Sequence, residues 1–104
     1  SQAQTFICTA TSDITHFTLS NAPIGASSFT IKVEQDSTGS RAVGIDTFKT
    51  TGGATIPVYW PGGVVPQVTT TASRTDIYSF KIFNGNTVSS SGLYGVVGGQ
   101  NFQN

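Results

Sequence analysis

The chain has 104 residues and no formal net charge, with 10% charged and 37% hydrophobic residues. This balance disfavours a disordered chain, argues against a nucleic-acid binder, which needs basic groups to neutralise phosphates, and excludes a polybasic membrane anchor. No apolar stretch approaches the roughly 20 residues of a membrane-spanning helix, and no charged segment followed by an apolar one marks a signal peptide. We therefore expect one domain, residues 1–104, with no membrane partner.

Alternation of apolar and polar residues predicts short β-strands in the first half of the chain. Residues 5–10 and 14–20 are the first two predicted strands. Residues 28–35 give the clearest signal, because their apolar and polar side chains alternate strictly. Residues 36–40 carry the Asp and Gly of a turn, so residues 41–48 are predicted to return as the second arm of a hairpin.

The middle of the chain is rich in Gly and Pro. Residues 50–54 are predicted to form a loop, and residues 55–60 a short strand. Pro57 interrupts that strand, which places it at a sheet edge or a bulge because proline cannot donate a backbone hydrogen bond. Residues 61–71 are predicted to form a long ordered loop.

Residues 76–83 give the second strong strand signal. Its even-numbered apolar residues are predicted to share one face, and Phe83 the opposite face. The sequence Asn84-Gly85-Asn86 is a strong hairpin turn signal. The returning arm is interrupted at residues 89–92, and residues 93–97 complete it. About seven short strands with turns every 8–12 residues indicate an all-β fold, an antiparallel β-sandwich or a jelly roll.

Few side chains in the sequence could carry out catalysis. Glu34 and Asp36 are spaced like a carboxylate pair, but the first alternates toward solvent and the second suits a turn. Asp13 and His16 cannot complete a zinc shell, because His16 is the single histidine and Cys8 the single cysteine. We expect no catalytic residue, no metal site and no cofactor, and therefore no enzyme.

Aromatic residues provide the best candidates for contact with a ligand or partner. Tyr59 and Trp60 precede a Pro-Gly-Gly segment, and Tyr94 lies in the last predicted strand. Exposed aromatic rings beside polar side chains could stack on a sugar or pack against a protein. The alternative for Trp60 is that it closes one end of the sandwich core.

Four segments, taken in order, resemble a module found near the ends of tailed-bacteriophage tail and fibre proteins, including those of marine and cyanobacterial phages. The first is a strand ending in Gln-Asp-Ser-Thr within residues 27–39, and the second is the Trp-Pro-Gly-Gly-Val-Val-Pro-Gln-Val-Thr stretch within residues 58–71. The third is Asp-Ile-Tyr-Ser-Phe at residues 76–80, and the fourth is a Tyr-Gly segment ending in Asn-Phe at residues 94–102. The resemblance covers residues 14–102.

This resemblance implies a non-enzymatic virion protein with a β-sandwich fold. It implies assembly as a homotrimer and contacts with other virion proteins, either in a tail fibre or as a capsid decoration. It leaves open whether the chain is a module of a longer protein or a small virion protein in its own right. It supplies no catalytic or ligand-binding residue to transfer.

Two other functions remain open. The module could bind a host-surface glycan at a receptor-binding tip, with Tyr59, Trp60 or Tyr94 lining a groove. It could instead be a surface filament subunit in which residues 2–9 donate a strand to the next subunit. The second alternative requires that this N-terminal segment extends away from its own chain. A segment that folds back on its own chain would argue against it.

Overall fold

The computed structural model describes residues 3–19 and 25–103, and of residues 3–6 it describes the backbone. This part of the chain forms two packed β-sheets, one short α-helix and two 3₁₀ turns, at Pro61–Gly63 and Gly85–Thr87. In chain order the elements are β1 (Ala3–Ala10), β2 (Phe17–Leu19), β3 (Ser27–Gln35), β4 (Phe48–Thr50), β5 (Thr55–Ile56), β6 (Val58–Tyr59), β7 (Thr75–Ile82), α1 (Val88–Ser91) and β8 (Leu93–Phe102). The larger sheet has the order β1-β3-β7-β8-β6, and the smaller has the order β2-β4-β5.

The structure confirms the predicted all-β sandwich. Its sheets are mixed rather than wholly antiparallel, because β1 runs parallel to β3, β2 to β4, and β6 to β8. The central pairs of the larger sheet, β3 with β7 and β7 with β8, are antiparallel. The pairs β4 with β5 and β7 with β8 join consecutive strands, whereas the other pairs join strands that are not consecutive in the chain.

The core lies between the two sheets. Strand β3 alternates buried and half-buried residues along its full length, and β7 alternates buried residues with half-buried or exposed ones from Asp76 to Ile82, as the sequence predicted. Phe29, Phe48 and Phe80 meet there, with ring centroids 5.0 to 6.0 Å apart. This aromatic contact joins β3 and β7 of the larger sheet to β4 of the smaller one.

The predicted hairpin between residues 28–35 and 41–48 is wrong. Asp36 does form the predicted turn, since its Oδ1 accepts hydrogen bonds from the backbone N–H groups of Thr38 and Gly39. After the turn, however, the chain crosses to the smaller sheet, where Phe48 begins β4 and pairs with β2. The antiparallel neighbour of β3 is β7 instead. Burial of the apolar residues at positions 43, 45 and 48 outweighs the local hairpin signal.

The predicted hairpin between residues 76–83 and 93–97 is confirmed, because β7 pairs antiparallel with β8, but its connection is longer than a tight turn. A 3₁₀ turn at Gly85–Thr87 and helix α1 lengthen the connection between β7 and β8. Strand β8 then runs to Phe102, beyond the predicted end at residue 97. No helix in residues 3–19 and 25–103 is long and apolar enough to cross a bilayer.

Pro57 marks the point at which the chain changes sheets. Strand β5 before it is an edge of the smaller sheet, and β6 after it is an edge of the larger sheet. The predicted edge position of this segment is confirmed. The change of sheet brings Tyr59 beside β8, where the candidate site lies.

Candidate functional site

An exposed group of aromatic and apolar side chains lies on the outer face of the larger sheet. We call it the aromatic surface, and it consists of Tyr59, Phe83, Tyr94 and Val96. The Tyr59 and Tyr94 rings stack with centroids 5.0 Å apart, and Phe83 meets Tyr94 edge-on at 5.2 Å. Phe83 is 59% exposed, and the other three members are exposed by 45% to 49%. Side chains that pack on one another yet stay exposed form a contiguous contact surface.

Strand register assembles the aromatic surface. Parallel pairing of β6 with β8 places Tyr59 opposite Tyr94, and antiparallel pairing of β7 with β8 places Lys81 on the other side of Tyr94. Directly opposite residues point to the same face of a sheet, so both tyrosines face outward. Gly92 allows the close approach of Tyr59, because a Cβ at residue 92 would lie 2.7 Å from the Tyr59 ring.

Trp60 does not belong to this surface, which corrects the prediction that it forms an exposed contact. It is 7% exposed and meets Phe80 edge-on, with ring centroids 5.6 Å apart. A Cβ at residue 95 would lie 2.6 Å from the Trp60 ring, so Gly95 leaves the space that the indole fills. Trp60 therefore closes the core, which was the alternative interpretation of its position.

A shallow depression of about 330 Å³ adjoins the aromatic surface. Phe83, Tyr94 and Val96 form part of its lining. Phe80 and three polar residues of β3 and β7, namely Ser28, Ser79 and Lys81, complete the lining. An apolar centre with a polar border is the usual arrangement of a protein contact surface.

A buried polar network lies on the other face of the same sheet. Asp76 is 1% exposed, and its carboxylate accepts hydrogen bonds from the Thr69 and Asn101 backbone N–H groups and from the Tyr78 hydroxyl, at 2.7 to 2.8 Å. Gln100 donates from Nε2 to the Tyr78 hydroxyl at 2.8 Å and to the Gln67 carbonyl. The network ties the loop before β7 to the end of β8.

The protonation behaviour of this network suits a structural role. Burial alone would raise the pKa of Asp76, but the three hydrogen bonds together outweigh burial and hold that pKa below its usual value. Burial, and then the hydrogen bond to Asp76, raise the pKa of Tyr78. A carboxylate that already accepts three hydrogen bonds is a weak proton acceptor, so the pair is poorly suited to acid–base chemistry.

The lowered pKa of Asp76 predicts a pH-dependent stability. A carboxylate with a pKa below its unfolded value of about 3.9 stabilises the fold above that pH, and this contribution disappears as the pH falls through the folded pKa. We expect Asp76→Asn to destabilise the chain strongly at pH 7 and much less near pH 2. Urea unfolding of both proteins across this range measures the difference. A difference that stays constant between pH 7 and pH 2 would contradict the assignment.

The two carboxylates considered as a pair, Glu34 and Asp36, have separate structural partners. Glu34 contacts Lys32 at 3.0 Å and accepts a hydrogen bond from Thr9. Asp36 forms an ion pair with Arg41 at 2.9 Å. These partners hold the pKa values of both carboxylates below the usual range, with Lys32 the largest cause for Glu34 and Arg41 for Asp36.

The other candidate chemical groups also lie apart. Asp13 accepts a hydrogen bond from the Ala42 backbone N–H, and His16 contacts the Thr15 hydroxyl. Cys8 is half-buried against the core, and burial raises the pKa of its thiol. No group of three or more His, Cys, Asp or Glu side chains within the described residues is arranged to hold a metal ion.

Two members of the aromatic surface were not among the predicted contact residues. Phe83 had a usable signal, because strand alternation already placed it opposite the core-facing side of residues 76–83. Val96 had none, since valine is common on both faces of a strand. An aromatic residue that alternation assigns to solvent is the feature that could have identified the site.

Comparison with protein-family models, with curated proteins and with solved structures finds no match for this chain.

Proposed function

We propose that this chain is a non-enzymatic structural module of a bacteriophage virion, in a tail fibre or as a capsid decoration. It works by protein–protein contact with copies of itself and with other virion proteins. The aromatic surface is the observation that carries the assembly function. The assignment to a phage virion rests on the motif resemblance alone.

The composition of the aromatic surface favours a protein partner. Phe83 has no polar group, yet 59% of it is exposed, which is costly for a large apolar side chain that gains no contact. Tyrosine and phenylalanine are enriched in protein interfaces, where aromatic anchors carry much of the binding energy. A partner that covers Phe83 and Tyr94 would bury the apolar centre and leave the polar border hydrated.

The charge of the chain supports assembly between identical copies. Its formal net charge is zero, so no long-range repulsion opposes the approach of a second copy. The outer face also contains Lys32 and Glu34, which are paired with each other. Packing that covers this pair buries no unpaired charge, whereas the Lys81 ammonium group beside the aromatic surface must stay at the hydrated border, because desolvating an unpaired charge is expensive.

Sedimentation equilibrium tests the assembly function. The unmodified chain is expected to sediment at three times the 10.8 kDa of one chain, or at a multiple of that mass where trimers associate further. Phe83→Ser combined with Tyr94→Ser is expected to reduce the mass threefold, because the variant removes two anchors of the aromatic surface. Val64→Ser is the matched control, since Val64 is a 70%-exposed loop residue outside the surface.

Two outcomes would contradict the proposal. The first is a single-chain mass for the unmodified protein at all concentrations. The second is an unchanged mass in the double variant. A far-UV spectrum and a urea midpoint matching those of the unmodified chain confirm that the variants are folded.

Binding of a host-surface glycan is the second candidate function. The observation that favours it is the meeting of Tyr59 and Tyr94, whose rings stack at the surface. Tyr94→Ala tests it, whereas Trp60→Ala is unsuitable because Trp60 is buried. Loss of cell or glycan adhesion by a folded Tyr94→Ala variant that keeps its assembled mass would favour glycan binding over assembly.

A further inference from the structure

Strand β1 is a long edge strand without the usual protection. Its eight residues pair with β3 on one side, and within residues 3–19 and 25–103 no other strand covers its outer side. Edge strands are commonly protected by a charge, a proline or a bulge. The β1 sequence, AQTFICTA, contains no charged residue and no proline, and its register with β3 has no shift. Such an edge can accept another extended strand.

The opposite edge of the same sheet is different. Strand β6 has two residues, and Pro57 directly precedes it. A short edge flanked by proline offers few backbone groups to a partner. The larger sheet therefore has one protected edge beside the aromatic surface and one unprotected edge at β1.

An apolar cleft of about 390 Å³ lies beside β1. It is bounded by β1 and β2, which are edge strands of the two sheets. Ile7 contributes to its lining and is 68% exposed. The remaining lining residues are Cys8, Phe17, Thr18, Leu19, Phe29, Ile31 and Phe48. A strand pair alone would be a narrow contact, roughly 26 Å long for eight residues, so the cleft adds apolar area that a stable interface needs.

The charges near β1 indicate what kind of partner fits. The nearest charged side chains in the neighbouring strand, Lys32 and Glu34, form an ion pair with each other at 3.0 Å. Thr9 of β1 donates a hydrogen bond to Glu34. Because Lys32 and Glu34 are already paired, neither offers a free opposite charge to a charged partner. An uncharged extended strand of similar length fits, and β1 of a second copy is such a strand.

We infer that β1 pairs antiparallel with β1 of a second copy, with Ile7 opposite Ile7. This inference rests on the proposed assembly function but uses the other edge of the sheet. A two-fold axis perpendicular to the sheet keeps both outer faces on the same side, so a residue can lie opposite itself. The register centred on Ile7 buries the exposed isoleucine of both copies and joins the two larger sheets. A two-fold axis that crosses the three-fold axis of the aromatic-surface contact at a right angle gives a closed assembly of six copies.

Disulfide cross-linking tests the pair and its register. In a Cys8→Ala background, Ile7→Cys is expected to give a cross-linked dimer on mild oxidation, because opposite Cα atoms in antiparallel strands lie about 4.5–5.5 Å apart. Thr9→Cys in the same background is the control. In the register centred on Ile7, residue 9 of one chain lies four residues, roughly 13 Å, along the strands from residue 9 of the other chain. The two cysteines of this variant should therefore remain uncross-linked. Equal cross-linking of the two variants would overturn the inference.

A charge variant gives an independent measurement. Ile7→Lys is expected to halve the number of copies in the assembly, because two ammonium groups would face each other in the strand pair. Val64→Lys changes a residue of nearly equal exposure, 70% against 68%, and should leave the mass unchanged. An unchanged mass in a folded Ile7→Lys variant would contradict the pairing of β1.

The cross-linking and sedimentation results separate the two proposals. If Ile7→Cys fails to cross-link while the Phe83→Ser and Tyr94→Ser variant loses assembly, the β1 inference fails and the assembly function stands. If Ile7→Cys fails and the unmodified chain sediments as one copy, both fail. If Ile7→Cys cross-links and the double variant keeps its mass, the β1 pair stands and the aromatic surface is not the interface.

Discussion

Asp76→Ala is expected to lower the free energy of unfolding by about 3–5 kcal/mol. The substitution removes a carboxylate that is 1% exposed and accepts hydrogen bonds from Thr69, Tyr78 and Asn101. Two backbone N–H groups and one hydroxyl then lose their acceptor in a site with little access to water. Each unsatisfied group costs roughly 1–3 kcal/mol, so their combined loss exceeds that of a typical substitution.

Urea unfolding at pH 7 measures this effect, with Asp46→Ala as the control. Asp46 is exposed and accepts a weak hydrogen bond from the adjacent Thr47 hydroxyl at 3.3 Å. Its replacement is expected to change the free energy of unfolding by less than about 0.5 kcal/mol. Equal effects of the two substitutions would show that the Asp76 network does not hold the end of β8 to the loop before β7.

The second large effect is expected at Trp60. Trp60→Ala should destabilise the chain by about 3–5 kcal/mol, because it leaves a cavity beside Phe80 and over Gly95. Tyr59→Ala is the matched control, since the adjacent tyrosine is 45% exposed and packs at the surface. It should cost about 1 kcal/mol or less, mainly through the lost ring contact with Tyr94.

The Trp60→Ala and Tyr59→Ala variants separate an effect on folding stability from an effect on contact between chains. Thermal or urea unfolding should detect Trp60→Ala, and sedimentation should detect Tyr59→Ala. A large loss of stability in Tyr59→Ala with little loss in Trp60→Ala would contradict the assignment of Trp60 to the core. Any binding assay on Trp60→Ala reports mainly on the folded fraction.

Local alternation was sufficient to find strands β3 and β7 but not to find that β3 pairs with β7. Strands β3 and β7 were predicted almost to the residue, because their buried and solvated side chains alternate over a full strand length. Their pairing depends on contacts between segments far apart in sequence. The Asp36 turn made a hairpin with residues 41–48 the obvious local choice, but core burial took those residues to the other sheet.

The candidate site was predictable in part for the same reason. Tyr59 and Tyr94 were each identified as exposed aromatic candidates, but their meeting requires the parallel pairing of β6 with β8, which no local pattern reveals. Trp60 was misplaced because β6 has two residues after Pro57, too few for alternation to assign a face. The space beside Gly95 that the Trp60 ring fills could be identified only from the three-dimensional structure.

The position of the N-terminal segment also could not be predicted from the sequence and required the structure. Strand donation would need this segment to extend away, whereas residues 3–10 pair with β3 of the same chain. Residue 2, the first of the predicted donor segment, lies outside the described residues. The unprotected outer side of β1 remains available for a second copy in this position.

Photo-cross-linking at residue 83 tests the central claim most directly. The chain would carry the photoreactive analogue p-benzoylphenylalanine in place of Phe83 and, as a control, in place of the exposed Val64. Assembly through the aromatic surface predicts that irradiation links residue 83 to a second chain, with much less linkage from residue 64. Mass spectrometry locates the linked residue. Cross-links confined to one chain, or equal linkage from both positions, would contradict the proposed role of the aromatic surface.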